Sequence, residues 1–352
     1  MTPGTFSERR NLAQKLLSIK ENVAQAMTSE FFTIHPEWEA RYGERGRQCC
    51  TADARFHMEF LAAAIEADSP QAFGDYARWT ARMLGARGIG AHTLEENLTQ
   101  LETHILPALL PGERDAVSAF LCEGRQACTV PQPASATQSS DGPLGLTMRA
   151  FLTAILGGQR RTALGVIEEA LSSGARQVDI YVDVIAEALH NVGALWEQNK
   201  ISVAQEHMAS VISQYVIAMI YPRIVPLDKS LGKMVVTGVS GEQHQIGANL
   251  VADAMEENGW EVRFLGTNLP HASVLSTIDE TSADVLCIST TLVANLPSAV
   301  ELVRSVRERF GARVPRIVLG GSAFQLVPQF AKEIGSSEVI PDLRQAIDAL
   351  CP

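Results

Sequence analysis

The stretch Gly241-Glu242-Gln243-His244-Gln245-Ile246-Gly247 sets an imidazole two residues from a carboxylate and three residues before a glycine. A carboxylate that accepts the proton of one ring nitrogen fixes the tautomer and makes the other nitrogen a better metal ligand. The glycine lets backbone approach a bulky ligand closely. A loop histidine taken alone is more often a surface residue or a satisfied core residue, so the pattern needs company. It has company. Ser289 and Thr291 stand at the end of a later apolar run, with residues 248–288 between Gly247 and Ser289. Gly320-Gly321 close another, with residues 292–319 between them and Thr291.

These residues have to be carried by regular elements, and the pattern from Lys233 onward supplies them. Met234–Val239, Val262–Gly266, Val285–Ser289 and Ile317–Gly321 read as strands, with a short fifth at Val339-Ile340. Helical periodicity falls between them near 245–258, 270–279 and 295–310. Strands alternating with helices specify a parallel sheet covered on both faces, whose ligands bind at the carboxyl ends of the strands. Residues 145–225 carry four helices, about 146–156, 158–172, 176–196 and 201–221, with short joints, the pattern of a four-helix bundle. Residues 129–144 are small, polar and proline-rich, and read as a linker. Ahead of it, helices are expected at 5–30, from Thr51, from Ser69-Pro70 through Met83, at 93–109 and at 112–122. Residues 31–50 read as irregular, with His35-Pro36 as a break.

The set of Glu-x-His-x-x-Gly, Ser-x-Thr and Gly-Gly at these spacings resembles the signature of the methionine-synthase-like cobalamin-binding domain. Thr291 stands where that family usually has leucine. The resemblance covers about 145–352. It implies a cobalamin whose nucleotide tail enters the sheet domain, with His244 on cobalt, Glu242 behind it, Gly247 close to the ligand, Ser289 and Thr291 at the tail, and Gly320 and Gly321 leaving room for it. In the bundle, Trp196 is followed ten and eleven positions later by Glu206-His207. This is similar to the cap over the upper face of cobalamin in light-responsive cobalamin-binding regulators. There the tryptophan packs over the upper ligand and the Glu-His pair contacts the adenosyl group of adenosylcobalamin. The bland alternative is a core tryptophan and a solvated Glu-His face. A histidine that captures cobalt after photolysis follows the tryptophan in those regulators; here the position is Glu197. His190, on the same helix, is a weak substitute.

The N-terminal helices, with Phe56, His57, Phe60, Phe73, Tyr76 and Trp79, weakly resemble globin-like sensor modules. Photocobilins join such a bilin-binding module to a cobalamin domain. That resemblance implies biliverdin or heme at His57, with Cys49 or Cys50 as a bilin tether. The simpler alternative is a satisfied histidine among core aromatics, or a module that binds a protein partner.

The expected architecture is therefore α and α/β. An all-helical sensor or interaction module, globin-like by resemblance, spans 1–128, and a linker spans 129–144. A four-helix-bundle cap spans 145–228, and a flavodoxin-like, Rossmann-like doubly wound cobalamin-binding domain spans 229–352. The net charge of -11 argues against direct nucleic-acid binding. No apolar run approaches a membrane span, and the first ten residues lack a signal-peptide pattern, so a cytoplasmic location is expected. The six cysteines fit neither a zinc motif nor a compact disulfide framework. No catalytic constellation is apparent, and a sensory rather than enzymatic role is expected. Two functions follow from the resemblance. The first is a light sensor in which photolysis of adenosylcobalamin changes cap packing and an oligomeric or partner contact. The second is a corrinoid protein that carries methyl groups between methyltransferases.

Overall fold

The carboxyl-terminal sheet has five strands in the order β2-β1-β3-β4-β5, all parallel. They are β1 (Gly232–Gly238), β2 (Trp260–Phe264), β3 (Val285–Ser289), β4 (Arg316–Gly320) and β5 (Glu338–Ile340). The central strands are apolar on both faces because helices cover both; Met234, Val235, Val236, Leu286, Ile288, Ile317 and Leu319 are all buried. The order reverses between β1 and β3, the switch point at which this class of sheet opens a crevice. The computed structural model describes residues 4–130, 142–227 and 230–351. Most of the expected linker lies outside the described residues.

In chain order the first five helices are α1 (Phe6–Ile34), α2 (Pro36–Glu66), α3 (Pro70–Gly85), α4 (Ala91–Ile105) and α5 (Pro111–Thr129). The bundle holds α6 (Gly145–Leu156), α7 (Arg160–Ser172) and α10 (Val203–Ile220). Its remaining helix is built from α8 (Gln177–Asp179), a π-helical turn (Ile180–Ala186) and α9 (Glu187–Glu197) in succession. Interspersed with the strands in the chain are α11 (Ile246–Glu257), α12 (His271–Thr281), α13 (Leu296–Phe310), α14 (Ser322–Leu326), α15 (Pro328–Glu333) and α16 (Leu343–Leu350).

Residues 31–50 are helical apart from His35, which corrects the expected irregular stretch, while the expected break at His35-Pro36 is where α1 ends and α2 begins. Pro36 sits at the first position of α2, where the missing N–H would be unsatisfied anyway. A second interruption is Gly43, whose φ of 54 kinks α2. Likewise α5 runs to Thr129, past the expected end at 122, because Val117, Phe120, Leu121, Gly124 and Ala127 keep one face buried.

The chain gathers into two units. One holds Met1–Gln132 with Leu292–Pro297 and Leu326–Glu333; the other holds Pro133–Thr291, Ser298–Gln325 and Ile334–Pro352. The bundle and the sheet thus share a unit, and they share a core. Phe151, Ile180, Tyr181, Val184, Val216 and Ile220 of the bundle pack with Leu250 and Ala254 of α11 and Leu343 of α16. No helix among the described residues is long and apolar enough to cross a membrane.

Candidate functional site

β1 delivers the chain to a loop at the switch point, and the loop is braced from its neighbour. The Gly238 N–H donates to the Gly266 carbonyl at 2.9 Å. The Gly241 N–H, at φ 86, donates to Asn268 Oδ1 at 2.9 Å. The loop then presents Glu242, which is fully buried at 0% exposure. Four donors reach its two oxygens. Oε1 accepts the N–H groups of Gln243 and His244, each at 3.0 Å, and Nδ1–H of His244 at 2.6 Å. Oε2 accepts the N–H of Thr291 at 2.8 Å, joining the loop after β1 to the loop after β3. A buried carboxylate is tolerated when its lone pairs are filled in this way.

His244 follows with a side chain 55% exposed. Its Nδ1 is spent on Glu242, so the proton belongs there and Nε2 keeps its lone pair. The hydrogen bond to Glu242 raises the imidazole pKa, burial opposes the rise, and the charges of Glu242 and Glu206 add to it. That influence places Glu206 of the bundle within electrostatic reach of His244. Three residues on, Gly247 has nothing within 4 Å of where a Cβ would stand.

The second arm is the end of β3. Ser289 pairs in register with Gly238 and Gly320. The next residue, Thr290, is fully buried and its Oγ1 has no partner among the described residues. Thr291 contributes its N–H to Glu242 and its carbonyl to Ser322 Oγ–H at 3.0 Å. Gly321 has φ 92, and a Cβ there would lie 2.3 Å from the Thr290 carbonyl oxygen. The chain's own backbone therefore requires glycine at 321, a reason independent of any ligand. A Cβ on Gly320 would stand 3.3 Å from the Ile340 carbonyl.

The bundle's contribution is set by two local signals. α9 ends in a Schellman closure, with Lys200 N–H to the Leu195 carbonyl and Asn199 N–H to the Trp196 carbonyl, Asn199 taking φ 56. α10 then starts in a capping box between Ser202 and Gln205. This puts Trp196 in the last turn of one helix and Glu206-His207 in the first turns of the next. Glu206 Oε2 meets His207 Nδ1 at 2.5 Å, and Glu206 Oε1 accepts from Ser210 at 3.1 Å. Glu197 is buried, while His190 is exposed.

The N-terminal candidates belong to the other unit. His57 is 2% exposed, and its Nδ1 meets the Tyr76 hydroxyl at 2.7 Å. Phe60 stacks on Tyr76 with centroids 3.9 Å apart. Burial pushes the His57 pKa down to about 4. The imidazole is thus packed as a hydrogen-bonded core residue. Cys49 is exposed and Cys50 half-buried, its thiol pKa raised by burial; both are free.

His244, Glu242 and the Gly320-Gly321 pair, all expected from the sequence, stand at the carboxyl ends of β1 and β4, the two neighbours of β3. Thr290 and Asn268 are added by the structure. The signal for Thr290 was available: in Ser289-Thr290-Thr291 strand alternation turns the middle hydroxyl to the face opposite its neighbours. Asn268 had none, because only the fold brings the loop after β2 beside Gly241.

Residues 232–350 match the model of a B12 binding domain, and residues 147–221 match a second B12 binding domain model. A corrinoid protein of Desulfitobacterium hafniense is 23% identical over 187 residues, covering 52% of this chain and 86% of the relative. Dimethylamine corrinoid protein 3 of Methanosarcina acetivorans is 25% identical over 184 residues, covering 52% of this chain and 78% of the relative. The methionine synthase of Mycobacterium tuberculosis is 26% identical over 171 residues, 48% of this chain, and the match spans 14% of that enzyme's length. The structure of the monomethylamine corrinoid protein of Methanosarcina barkeri has the same fold. Its TM-score is 0.53 at 18% identity, over 58% of this chain and 97% of that one.

The residues present fit a corrinoid. An accessible imidazole Nε2, backed by a buried carboxylate, suits an axial position on a metal. The Thr290 hydroxyl is a buried hydrogen-bonding group that a polar ligand can satisfy.

Proposed function

We propose that this chain, whose residues 147–221 and 232–350 match B12 binding domain models, is a corrinoid protein that presents its cobalamin to partner enzymes and carries a methyl group between them. One observation carries the reading: the Glu242–His244 pair, with Nδ1 held at 2.6 Å by a fully buried carboxylate and Nε2 left for a metal. The relatives named as corrinoid proteins support it, since the match covers 78–86% of their own length.

When bound, cobalamin supplies a cobalt centre able to accept and release a methyl group. The chain's residues do the rest. His244 would hold the metal through Nε2. Glu242 holds the ring proton and ties the loop after β1 to the loop after β3. Ser289 and Thr290 would hydrogen-bond the nucleotide tail, beside the backbone of Thr291, Gly320 and Gly321. Trp196, Glu206 and His207 would cover the other face and limit water there.

Methyl carriage replaces light sensing as the leading reading. Light sensing rested on Trp196 and the Glu206-His207 pair, and those residues serve as a cap in either role. An adenosyl upper ligand and biliverdin at His57 have no independent support, and the packing of His57 against Tyr76 and Phe60 accounts for its burial.

The test is reconstitution of the full chain with methylcobalamin, kept in darkness and mixed with extract of the host cell. Loss of the methylated spectrum in the dark, dependent on both protein and extract, is expected. A spectrum stable in darkness would overturn methyl carriage. A change of oligomeric mass only after green light on the adenosylcobalamin-loaded protein would return the assignment to light sensing.

A further inference from the structure

Bundle and sheet are joined along one edge by polar contacts that no cofactor contact requires. Tyr181, in the π-helical turn, is 1% exposed. Its hydroxyl donates to Asp253 Oδ2 of α11 at 2.8 Å and accepts from Gln177 Nε2 at 2.7 Å. From α16, Arg344 grips the same turn. Its Nη2 lies 2.8 Å from Asp183 Oδ2 and 3.0 Å from Asp179 Oδ1, and its Nη1 lies 3.1 Å from Asp183 Oδ1. Further along, the Tyr221 hydroxyl donates to Glu256 of α11 at 2.8 Å. Leu250, Ala254 and Leu343 add the apolar part of the seam.

Both partners in this seam run on to the candidate site. α11 begins two residues after His244, so Asp253 lies roughly 13 Å along from it at 1.5 Å per residue. The π-helical turn continues into α9, which ends at Trp196 and Glu197. A π-helical turn inserts an extra residue and interrupts the regular ladder of hydrogen bonds, so it is a natural place for a helix to yield.

We propose that Tyr181, Asp253 and Arg344 are positioning residues: they fix the edge on which the bundle is hung, and so set how the end of α9 and the start of α10 lie relative to the loop that carries His244. They act through the two helices and touch no ligand themselves. The proposal rests on the cobalamin reading only for the ligand arm of its test.

The test uses the full chain and the variants Tyr181→Phe, Asp253→Asn and Arg344→Gln. Without cofactor, hydrogen exchange by mass spectrometry is expected to accelerate about tenfold in peptides covering 193–207 and 242–249, the scale of one lost hydrogen bond to a charged group. Exchange in the bundle core at 150–170 is expected to stay unchanged. With hydroxocobalamin as probe, its dissociation is expected to quicken about tenfold, again the loss of one such bond. Unchanged exchange in the two named peptides would overturn the proposal, as would acceleration spread evenly through bundle and sheet. If Asp253→Asn fails to fold, Arg344→Gln decides, because its ion pairs are surface-exposed. If the unaltered protein takes up no hydroxocobalamin, the cobalamin reading fails while the exchange arm still decides the positioning role.

Discussion

Glu242→Gln is the most discriminating perturbation, because the structure states what each atom of the new side chain would meet. The carboxylate accepts at least four donors, three at Oε1 and one at Oε2. A carboxamide has one acceptor oxygen. Its better orientation keeps that oxygen on Gln243, His244 and the His244 ring, and turns the NH2 group against the Thr291 N–H. The bond lost is charge-assisted, worth about 1.5–3 kcal/mol, and a buried donor left facing a donor costs about 1–3 kcal/mol more. Removing a buried charge offsets part of this through its desolvation. The net expectation is a loss of roughly 2–4 kcal/mol, against a typical domain stability of about 5–15 kcal/mol.

The assay is site-resolved amide exchange on the cofactor-free protein, with urea unfolding alongside. The Thr291 amide should exchange about 30-fold to 100-fold faster, while the Gln243 and His244 amides keep most of their protection. The urea midpoint should fall by about 1 M for a slope near 2–3 kcal/mol/M. Because the amide oxygen still accepts Nδ1–H, cobalamin binding through Nε2 should weaken without being lost. An unchanged Thr291 amide would refute the claim that Glu242 joins the two loops. Equal acceleration of all three amides would refute the asymmetry between Oε1 and Oε2.

His244→Ala should lower cofactor-free stability by about 1.5–3 kcal/mol, the worth of its charge-assisted hydrogen bond to the buried Glu242 carboxylate, and should abolish the visible spectrum of histidine-ligated cobalamin; an unchanged spectrum would remove His244 from the metal. Gly321→Ala meets both φ 92 and the Thr290 carbonyl at 2.3 Å, and should destabilise by at least about 2 kcal/mol in thermal melts. The buried His57, held down at about 4 against an ordinary 6.5, contributes stability present above pH 6.5 that is lost as pH falls toward 4. Its share is about 3 kcal/mol. Asp53 on the same helix is raised to about 6 by burial and slopes the opposite way, so the readout is the difference between the unaltered chain and His57→Gln. That variant should gain relative stability as urea melts move from pH 7 to pH 4, and parallel pH curves would contradict it.

Much of this architecture could be read from the chain alone. Apolar runs such as Met234–Val236 and Val285–Ile288 announce strands buried on both faces, and the parallel sheet follows from their alternation with helices. Glu242 and His244 are two residues apart, so their hydrogen bond is a local matter, as are the Ser202 capping box and the Asn199 turn that place Glu206. What the chain alone could not disclose are contacts between distant residues. The Thr291 N–H reaches Glu242, Asn268 braces Gly241, and Tyr181 reaches Asp253, each only because the sheet order and helix packing bring those segments together. The same limit explains Gly321, whose need for glycine comes from a carbonyl in another loop, and His57, whose partner Tyr76 sits on the next helix. Periodicity and turn chemistry act over a few residues and leave a mark in the sequence. A hydrogen bond across the fold leaves none until the backbone has been placed.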